Sequence, residues 1–587
     1  MISRRVARLP EPTQDLLRTA SVLGRDVRLD VLAAASATSA EDVMARLAPA
    51  VVTGLLAETP DGFDYRFSHV LVCDALYAGL DRLAKARLHL RAGEALESTG
   101  GETAPLPVLA HHFALAARAG VAARAVSYAA RAARQATAQL AFDEAVELWQ
   151  QALAAYGPGD PAERCALLIE LGRARRATGD VTGAHATLAE AIDLAAGIGD
   201  RTAMAEAAMV FGGVTVWNWR FYGTVDDRMV AVLEDLLAGE LPDEQRAALL
   251  GTLSLELHYS PRRAEGERHA AAAVELARRS GDVALRARTL NNYMNAAWVP
   301  GAGRDRLAAA EEMIALPGLP RSAELVARIM RMTALLELAE VAEWRAELAR
   351  CRRLTAEVHQ PDLVAMVWLA ESTRAAMAGE WAESERLTGE YGRLLSRTTM
   401  WGLEDCRLAT LFTSRRARGQ AGEMAADLVA TAEQPVHAPM RPLAVLATVD
   451  AGDEAAARRL TGRWAGWQPS DWSTRFVTAG WGMVAARLGA PDPKVMYELL
   501  LPHADELVVM GSQVVCWGAT HQILAELADV LGDHDLARDH AKQALTAHER
   551  LGLAALTTPR TYALSQTRVP GPARSRSGRG TGGPSAG

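Results

Sequence analysis

The sequence predicts an almost all-α protein, in which pairs of antiparallel helices stack along the chain after a small domain with one β-hairpin. The chain has 587 residues. One hydrophobic core stops growing at roughly 250–300 residues, so several domains or a solenoid are expected. Half of the residues are apolar but only 5% are aromatic, so alanine and leucine supply the apolar surface and favour close-packed helices. A helix-turn-helix pattern also recurs along much of the chain.

Residues 1–80 do not follow this repeat. The sequence predicts helices over Pro12–Leu23, Leu29–Ala35 and Glu41–Val52, the last of them capped by Ser39. A β-hairpin is expected next, because two short extended runs flank a turn signal. The runs and the turn between them are Leu55–Thr59, Phe63–Phe67 and Pro60, Asp61 and Gly62. Three helices followed by a β-hairpin predict a winged-helix domain.

A winged helix that reads DNA needs basic and amide side chains on the helix that enters the major groove. The third helix, Glu41–Val52, offers Arg46 alone among acidic and apolar neighbours. This composition favours a face that packs against protein, so we do not expect direct DNA binding through this domain.

The clearest repeat lies between Val126 and Ala195 and contains two helical hairpins. In the second helix of each hairpin, small and large residues alternate at i, i+4 and i+7, which share one helical face. The positions are Ala145, Trp149 and Ala152, then Ala184, Leu188 and Ala191. This is the pattern of the tetratricopeptide repeat, whose period is about 34 residues. We expect a helical linker over residues 81–125 and tetratricopeptide-like repeats over residues 126–560.

The segments LPEPTQDLLRTASVLG, LAPAVVTGLLAE and YRFSHVLVCDALYAGL resemble, in order and spacing, the winged-helix segment of the signal-transduction ATPases called STAND. The similarity is greatest to LuxR-type and adenylate-cyclase-associated regulators. In those proteins a P-loop ATPase module precedes this segment and a tetratricopeptide-like solenoid follows it. The resemblance implies that His69 contacts a nucleotide phosphate when an ATPase module is supplied in trans. The alternative is that His69 fastens the hairpin to the next helix.

The P-loop itself has no counterpart in the sequence. The motif GxxxxGK[ST] requires a lysine after a glycine, but Lys85, Lys494 and Lys542 follow alanine or proline. Relative to the resembled regulators, we therefore expect the ATPase module to be truncated or encoded separately. We expect no enzymatic activity and no cofactor.

An aromatic cluster, Trp217 to Tyr222, is unusual in a chain with so few aromatic residues. Two interpretations stay open, a groove that binds a ligand or partner and a bulky plug where two irregular repeats join. The cluster residues are Trp217, Trp219, Arg220, Phe221 and Tyr222. A second cluster is interpreted as packing and comprises Trp464, Trp467, Trp472 and Trp481.

Other side chains give weaker signals. The five cysteines are odd in number and never spaced CxxC, which favours reduced thiols in a cytoplasmic protein. The histidines lack partners at metal spacing and are expected to be surface or capping residues: His111, His112, His534 and His540. The net charge of −8 gives no attraction to nucleic acid or anionic membranes, and no apolar run of membrane length occurs. Residues 561–587 are expected to form a disordered basic tail.

These observations predict a non-enzymatic interaction and sensor scaffold, the regulatory half of a STAND-type regulator. A protein partner or small inducer would bind on the solenoid, and a separate ATPase module and self-association are further expected partners. The alternative is an ATP-dependent LuxR-type transcriptional regulator whose ATP-binding module lies outside this chain.

Overall fold

The computed structural model describes residues 2–60, 63–101, 105–358, 360–398 and 401–566. The chain divides into two compact units. Unit 1 contains Met1–Gly213 and Thr398–Met400, and unit 2 contains Val214–Arg397 and Trp401–Gly587. The division after Gly213 lies inside the segment that the sequence predicts as one run of repeats.

Unit 1 begins with short helices and a small sheet. Its elements are α1 (Ile2–Val6), α2 (Glu11–Leu23), β1 (Asp26–Val27), α3 (Leu29–Ser36), α4 (Ala40–Val52), β2 (Leu56–Glu58), β3 (Tyr65–Phe67) and α5 (Val70–Ala78). The three predicted helices and both predicted strands are present. Ser39 caps α4, since its hydroxyl accepts a hydrogen bond of 3.1 Å from the amide of Asp42. Asp61 and Gly62 of the predicted turn lie outside the described residues.

The sheet of unit 1 has the order β1-β3-β2, and β3 is antiparallel to both neighbours. Strand β1 escaped prediction because it has only two residues and so carries no alternating pattern. Leu17, Leu32, Val43, Leu47 and Phe67 are fully buried between the sheet and the helices. This small core holds the helices α2 to α5 and the sheet in one arrangement.

The rest of unit 1 consists of helical hairpins. The helices are α6 (Arg82–Gly100), α7 (Leu106–Ala116), α8 (Ala122–Ala138), α9 (Phe142–Tyr156), α10 (Pro161–Thr178), α11 (Val181–Gly197) and α12 (Arg201–Phe211). The six alternating positions of the predicted repeat are all buried. A Cβ atom added at Gly172 would lie 2.7 Å from Leu188, so the backbones of α10 and α11 approach closely at that point. The burial of the predicted positions agrees with the repeat pattern, and the close approach of backbones is seen between α10 and α11.

Unit 2 continues with stacked helical hairpins. The helices are α13 (Asp227–Ala238), α14 (Asp243–Glu256), α15 (Arg263–Ser280), α16 (Val283–Ala296), α17 (Gly303–Ile314), α18 (Arg321–Glu337), α19 (Val341–Leu354), α20 (Pro361–Met377), α21 (Trp381–Leu395), α22 (Leu403–Ala417), α23 (Ala425–Ala432), α24 (Arg441–Asp450), α25 (Glu454–Trp464), α26 (Thr474–Leu488), α27 (Pro493–Leu500), α28 (Thr520–Val530), α29 (His534–Leu551) and α30 (Pro559–Gln566). From α14 to α28, each even-numbered helix packs against the next even-numbered helix. We call these eight helices the inner layer. This tetratricopeptide-like stacking agrees with the predicted solenoid.

A second β-hairpin, formed by β4 (Leu507–Met510) and β5 (Val515–Ala519), packs against the inner layer. The prediction of a single hairpin is therefore wrong. Both strands are short and almost wholly buried, and two of the four residues of β4 are valines. A short apolar run of this kind is compatible with a buried strand as well as with a helix. The hairpin covers part of the face that an open solenoid would leave exposed.

The tip of this hairpin is held by side chains of unit 2. The indole Nε1 of Trp344 donates a hydrogen bond of 2.6 Å to Oε1 of Gln513. The hydroxyl of Thr373 donates to the carbonyl oxygens of Gln513 and Val514, at 2.7 and 2.9 Å. Gln513 has a positive φ of 56°, a conformation that these contacts help to maintain.

Helix α30 includes residues 561–566, so the first part of the predicted tail is helical. The remainder, residues 567–587, lies outside the described residues. Within the part of the chain that the structure describes, no helix combines the length and hydropathy that a bilayer crossing requires.

Candidate functional site

Unit 2 contains a cavity that is partly open to solvent, which we call the tryptophan cavity. Four tryptophans from distant parts of the chain form much of its wall: Trp217, Trp298, Trp401 and Trp472. The polar side chains in its lining are Asn218, His258, Asn295, Asp405, Cys406 and Ser512. Met510, Gly511 and Val514 of the second hairpin complete the wall, together with Gly402.

The lining residues come from the ends of inner-layer helices and from the loops beside them. His258 follows α14, Trp298 follows α16, and Trp401 lies two residues before the start of α22. Trp472 precedes α26, and Ser512 lies at the tip of the second hairpin. The cavity therefore forms where several hairpins converge, and a molecule within it would contact all of them.

Trp298 is fixed by a buried ion pair. Its indole Nε1 donates a hydrogen bond of 2.9 Å to Glu337, the last residue of α18. The other carboxylate oxygen of Glu337 accepts a hydrogen bond of 2.8 Å from Nη1 of Arg306. Arg306 is only 1% exposed, and its guanidinium carbon lies 4.4 Å from the centroid of the Trp298 ring. One face of this indole is thus already occupied by a cation.

A similar arrangement holds the predicted aromatic cluster. Glu256, the last residue of α14, accepts hydrogen bonds of 2.8 Å from Nε1 of Trp219 and from Nε of Arg220. Nη2 of Arg220 also lies 2.9 Å from Asp226. Burial raises the pKa of Glu256, and the adjacent Arg220 guanidinium opposes that effect. Trp219 and Arg220 therefore anchor the segment to α14.

Two more indoles are fixed through their N–H groups. Trp401 donates a hydrogen bond of 2.7 Å to the carbonyl of Asn218, and Trp472 donates one of 3.1 Å to the hydroxyl of Tyr259. The ring centroids of Trp217 and Trp401 are 6.1 Å apart, and those of Trp298 and Trp472 are 6.4 Å apart. Three of the four N–H groups are thus bonded within the protein, which leaves mainly carbon surface at the wall.

Three polar atoms at the cavity have no hydrogen-bond partner in the described part of the chain. They are Nε1 of Trp217, Nδ1 of His258 and Oγ of Ser512. His258 is 3% exposed and Ser512 is 1% exposed. A buried polar group without a partner costs about 1–3 kcal/mol, so three such atoms around one cavity indicate a place for a ligand or ordered water.

The lining carries little net charge. Burial lowers the pKa of His258 to about 4 and raises that of the Cys406 thiol to about 12, so both are neutral near pH 7. Oδ1 of Asp405 lies 2.6 Å from Nδ1 of His437. Burial raises the pKa of Asp405, and the hydrogen bond to Asp405 raises that of His437. Asp405 is thus the acidic lining residue, and it has a partner.

The structure divides the predicted groove residues. Trp217 lines the tryptophan cavity. Trp219 and Arg220 are not part of its lining and instead donate hydrogen bonds to Glu256. Phe221 is 54% exposed, and Tyr222 is buried with its hydroxyl 2.8 Å from both Asp471 and Ser473. Of the five predicted groove residues, Trp217 lines the cavity, and the binding of a ligand or partner by this cluster stays a prediction.

Sequence reasoning missed three of the four wall tryptophans. Trp472 is in the cluster interpreted as packing, although Trp464 and Trp481 of that cluster are indeed buried away from the cavity. Trp298 and Trp401 are isolated in the sequence. The available signal was the presence of single tryptophans in a chain poor in aromatic residues.

The predicted histidines also fall into different environments. His69 is exposed at the N-cap of α5, where its side chain makes no capping hydrogen bond. His112 and His540 are buried, so the expectation of surface or capping histidines is wrong for both. Their Nδ1 atoms lie 2.9 Å from His89 and 2.8 Å from His521, respectively. No group of three potential ligands suitable for a metal ion occurs among the described residues.

Comparison with known proteins identifies no family. No protein-family model matches the chain, and no curated protein matches it.

Solved structures give weak similarities. One is a STAND protein with a tetratricopeptide repeat sensor from Pyrococcus horikoshii, with 11% identity and a TM-score of 0.27 over 79% of this chain. The match covers 64% of that protein, less than two thirds of its length. The APC/C hetero-tetramer Cut9-Hcn1 gives 13% identity and a TM-score of 0.40, over 84% of this chain and 93% of that chain. The Naa15/Naa10 complex bound to HypK-THB gives 12% identity and a TM-score of 0.19, over 82% of this chain and 79% of that chain. All three TM-scores are below 0.5, so no inference is based on them.

Proposed function

We propose that this chain is the ligand-sensing, regulatory part of a STAND-type regulator and that it binds a small inducer in the tryptophan cavity. One observation carries the proposal: Trp217, His258 and Ser512 line the same cavity, and each has a buried polar atom without a partner among the described residues. A bound molecule would satisfy these atoms and remove their cost.

The position of the cavity suits a sensor. Its wall includes residues beside α14, α16, α22 and α26, and also the tip of the second hairpin. A ligand that contacts all of these elements would stabilise one arrangement of the hairpins over others, which is how binding energy shifts a conformational equilibrium. Signal transmission in this proposal consists of that shift, and it needs no bond-breaking chemistry.

Unit 1 would supply the output surface. The order α2-β1-α3-α4-β2-β3 and the sheet order β1-β3-β2 support its assignment as a winged helix. Val52, Phe63, Val70 and Leu71 expose more than half of their surface in this part of the chain. An apolar surface of this kind favours a protein partner over DNA. In the ATP-dependent LuxR-type alternative, His69 would face a nucleotide held by a separate ATPase module.

The state of the cysteines bears on the proposed compartment. All five are free and buried. Free thiols are typical of reducing compartments, which supports a cytoplasmic location for the proposed regulator.

The test is a fragment screen by saturation-transfer NMR against the wild-type chain and a variant with the cavity filled. Ser512→Met places a longer side chain at the wall and breaks no hydrogen bond of the serine hydroxyl within the described structure. Ser396→Met is the matched control, because Ser396 is exposed at the end of α21. We expect a subset of fragments to bind the wild type and the control but not Ser512→Met.

A folded Ser512→Met protein that binds the same fragments as the wild type would refute the proposal. If Ser512→Met does not fold, Trp217→Phe serves as the second variant, because it keeps an aromatic ring in the wall and removes one of the three polar atoms.

A further inference from the structure

We infer that the ligand of the tryptophan cavity is an uncharged ring compound that carries an oxygen atom able to accept a hydrogen bond. The inference rests on the proposed function and adds the chemical class of the ligand. It follows from three properties of the wall: its carbon surface, its unpartnered polar atoms and its charges.

The carbon surface of the wall favours a ring compound as the ligand. The N–H groups of Trp298, Trp401 and Trp472 are bonded to Glu337, to the Asn218 carbonyl and to Tyr259, respectively. These indoles therefore offer the ligand carbon edges and faces. Ring compounds pack well against such surfaces, and aromatic pairs add about 0.5–1.5 kcal/mol beyond the burial of their area.

The unpartnered polar atoms of the lining favour a ligand with a hydrogen-bond acceptor. The indole N–H of Trp217 is a donor only, so its partner must be an acceptor atom of the ligand. The Ser512 hydroxyl and the neutral His258 ring can each donate or accept, depending on the rotamer and the tautomer. A carbonyl, amide or hydroxyl oxygen on the ligand would satisfy the Trp217 donor.

The charges disfavour an ionic ligand of either sign. An anion would lie near Asp405 in a wall where His258 is uncharged. A cation would lie against Trp298, whose ring already interacts with the buried guanidinium of Arg306 at 4.4 Å. Asp405 does not offer a free counter-charge, because His437 lies 2.6 Å from its Oδ1. Moving an unpaired charge into such a site costs far more than moving an amide.

The experiment compares four probes of nearly equal size at pH 7.5. Benzamide is neutral with an acceptor, benzoate is an anion, benzylamine is a cation, and toluene is neutral without an acceptor. Dissociation constants come from saturation-transfer NMR titrations of the full chain. We expect benzamide to bind at least tenfold more tightly than benzoate or benzylamine, and more tightly than toluene.

Two indole variants test the acceptor. Trp217→Phe removes the N–H group that has no partner among the described residues. It should raise the dissociation constant of benzamide about fivefold, which corresponds to the loss of one ordinary hydrogen bond, and leave the dissociation constant of toluene unchanged. Trp481→Phe is the control, because the Trp481 N–H is also buried without a partner among the described residues but does not line the cavity. Trp481→Phe should leave the dissociation constants of both benzamide and toluene unchanged.

Binding of benzoate or benzylamine as tightly as benzamide would overturn the inference, and so would benzamide binding that does not saturate. Neither result touches the proposed function if the fragment screen still finds ligands that Ser512→Met excludes. A screen in which Ser512→Met excludes no ligand would remove the proposed function itself.

Discussion

Replacing Glu337 by glutamine tests whether the buried ion pair behind Trp298 maintains the wall of the tryptophan cavity. The amide of glutamine can still accept the hydrogen bond from the indole of Trp298. It cannot neutralise Arg306, which is 1% exposed and whose Nε and Nη2 atoms have no other hydrogen-bond partner in the described structure. The substitution therefore removes the negative charge of Glu337 while it keeps an acceptor for the Trp298 indole.

The expected cost follows from this geometry. Removing one member of a buried ion pair leaves an uncompensated charge and typically costs about 3–5 kcal/mol. We expect Glu337→Gln to lower the free energy of unfolding of unit 2 by about that amount. Glu343→Gln is the control, because Glu343 is 62% exposed and its contact with Arg331 is 3.4 Å long. An exposed pair contributes at most about 1 kcal/mol.

Urea unfolding followed by tryptophan fluorescence is the assay, because every tryptophan except Trp149 lies in unit 2. The double variant Glu337→Gln, Arg306→Met should regain most of the stability, since it removes the unpaired charge as well. The reasoning is refuted if the single variant costs less than about 1 kcal/mol, or if the double variant is less stable than Glu337→Gln.

Two further predictions concern acid stability and helix packing. The pKa of His258 is about 4 in the folded protein against 6.5 for an ordinary histidine, so the unfolded chain binds more protons between these values. The free energy of unfolding should therefore decrease by about 3 kcal/mol as the pH falls from 6.5 to 4. Replacing His258 by asparagine should make the free energy of unfolding, measured in urea, less dependent on pH in this range. An unchanged pH dependence in His258→Asn would contradict the assignment. Gly172→Ala should cost about 1–3 kcal/mol and speed hydrogen exchange in α10 and α11, because the new Cβ would lie 2.7 Å from Leu188. Gly197→Ala, where nothing lies within 4 Å, should be close to neutral, and equal effects of the two substitutions would refute the packing argument.

The helical hairpins could be predicted from the sequence because their signals are local. The positions Ala145, Trp149 and Ala152 share one face by helical geometry alone, and glycine and aspartate turns separate the helices. The three helices and two strands near the N-terminus carry similar local signals. Strand β1 has too few residues to show one.

The candidate site could be predicted only in part. Trp217 stands in a conspicuous cluster, so composition was sufficient to select it. Nothing in that cluster shows that Trp219 turns to Glu256, because the carboxylate comes from α14 and enters only through tertiary packing. Trp401 is isolated in the sequence, and Trp472 lies in a cluster whose composition alone favours packing.

The sequence by itself determined that this protein consists of stacked helical pairs, since hydrophobic periodicity acts within a few residues. Only the tertiary structure decided that the strands Leu507–Met510 and Val515–Ala519 pack against the inner layer, and that four distant tryptophans meet beside them. The physical reason is that short apolar runs are compatible with either a helix or a strand, and burial against neighbouring helices selects between them. The same convergence of helix ends buries three polar atoms that have no partner in the part of the chain that the structure describes, which no local pattern of residues can specify.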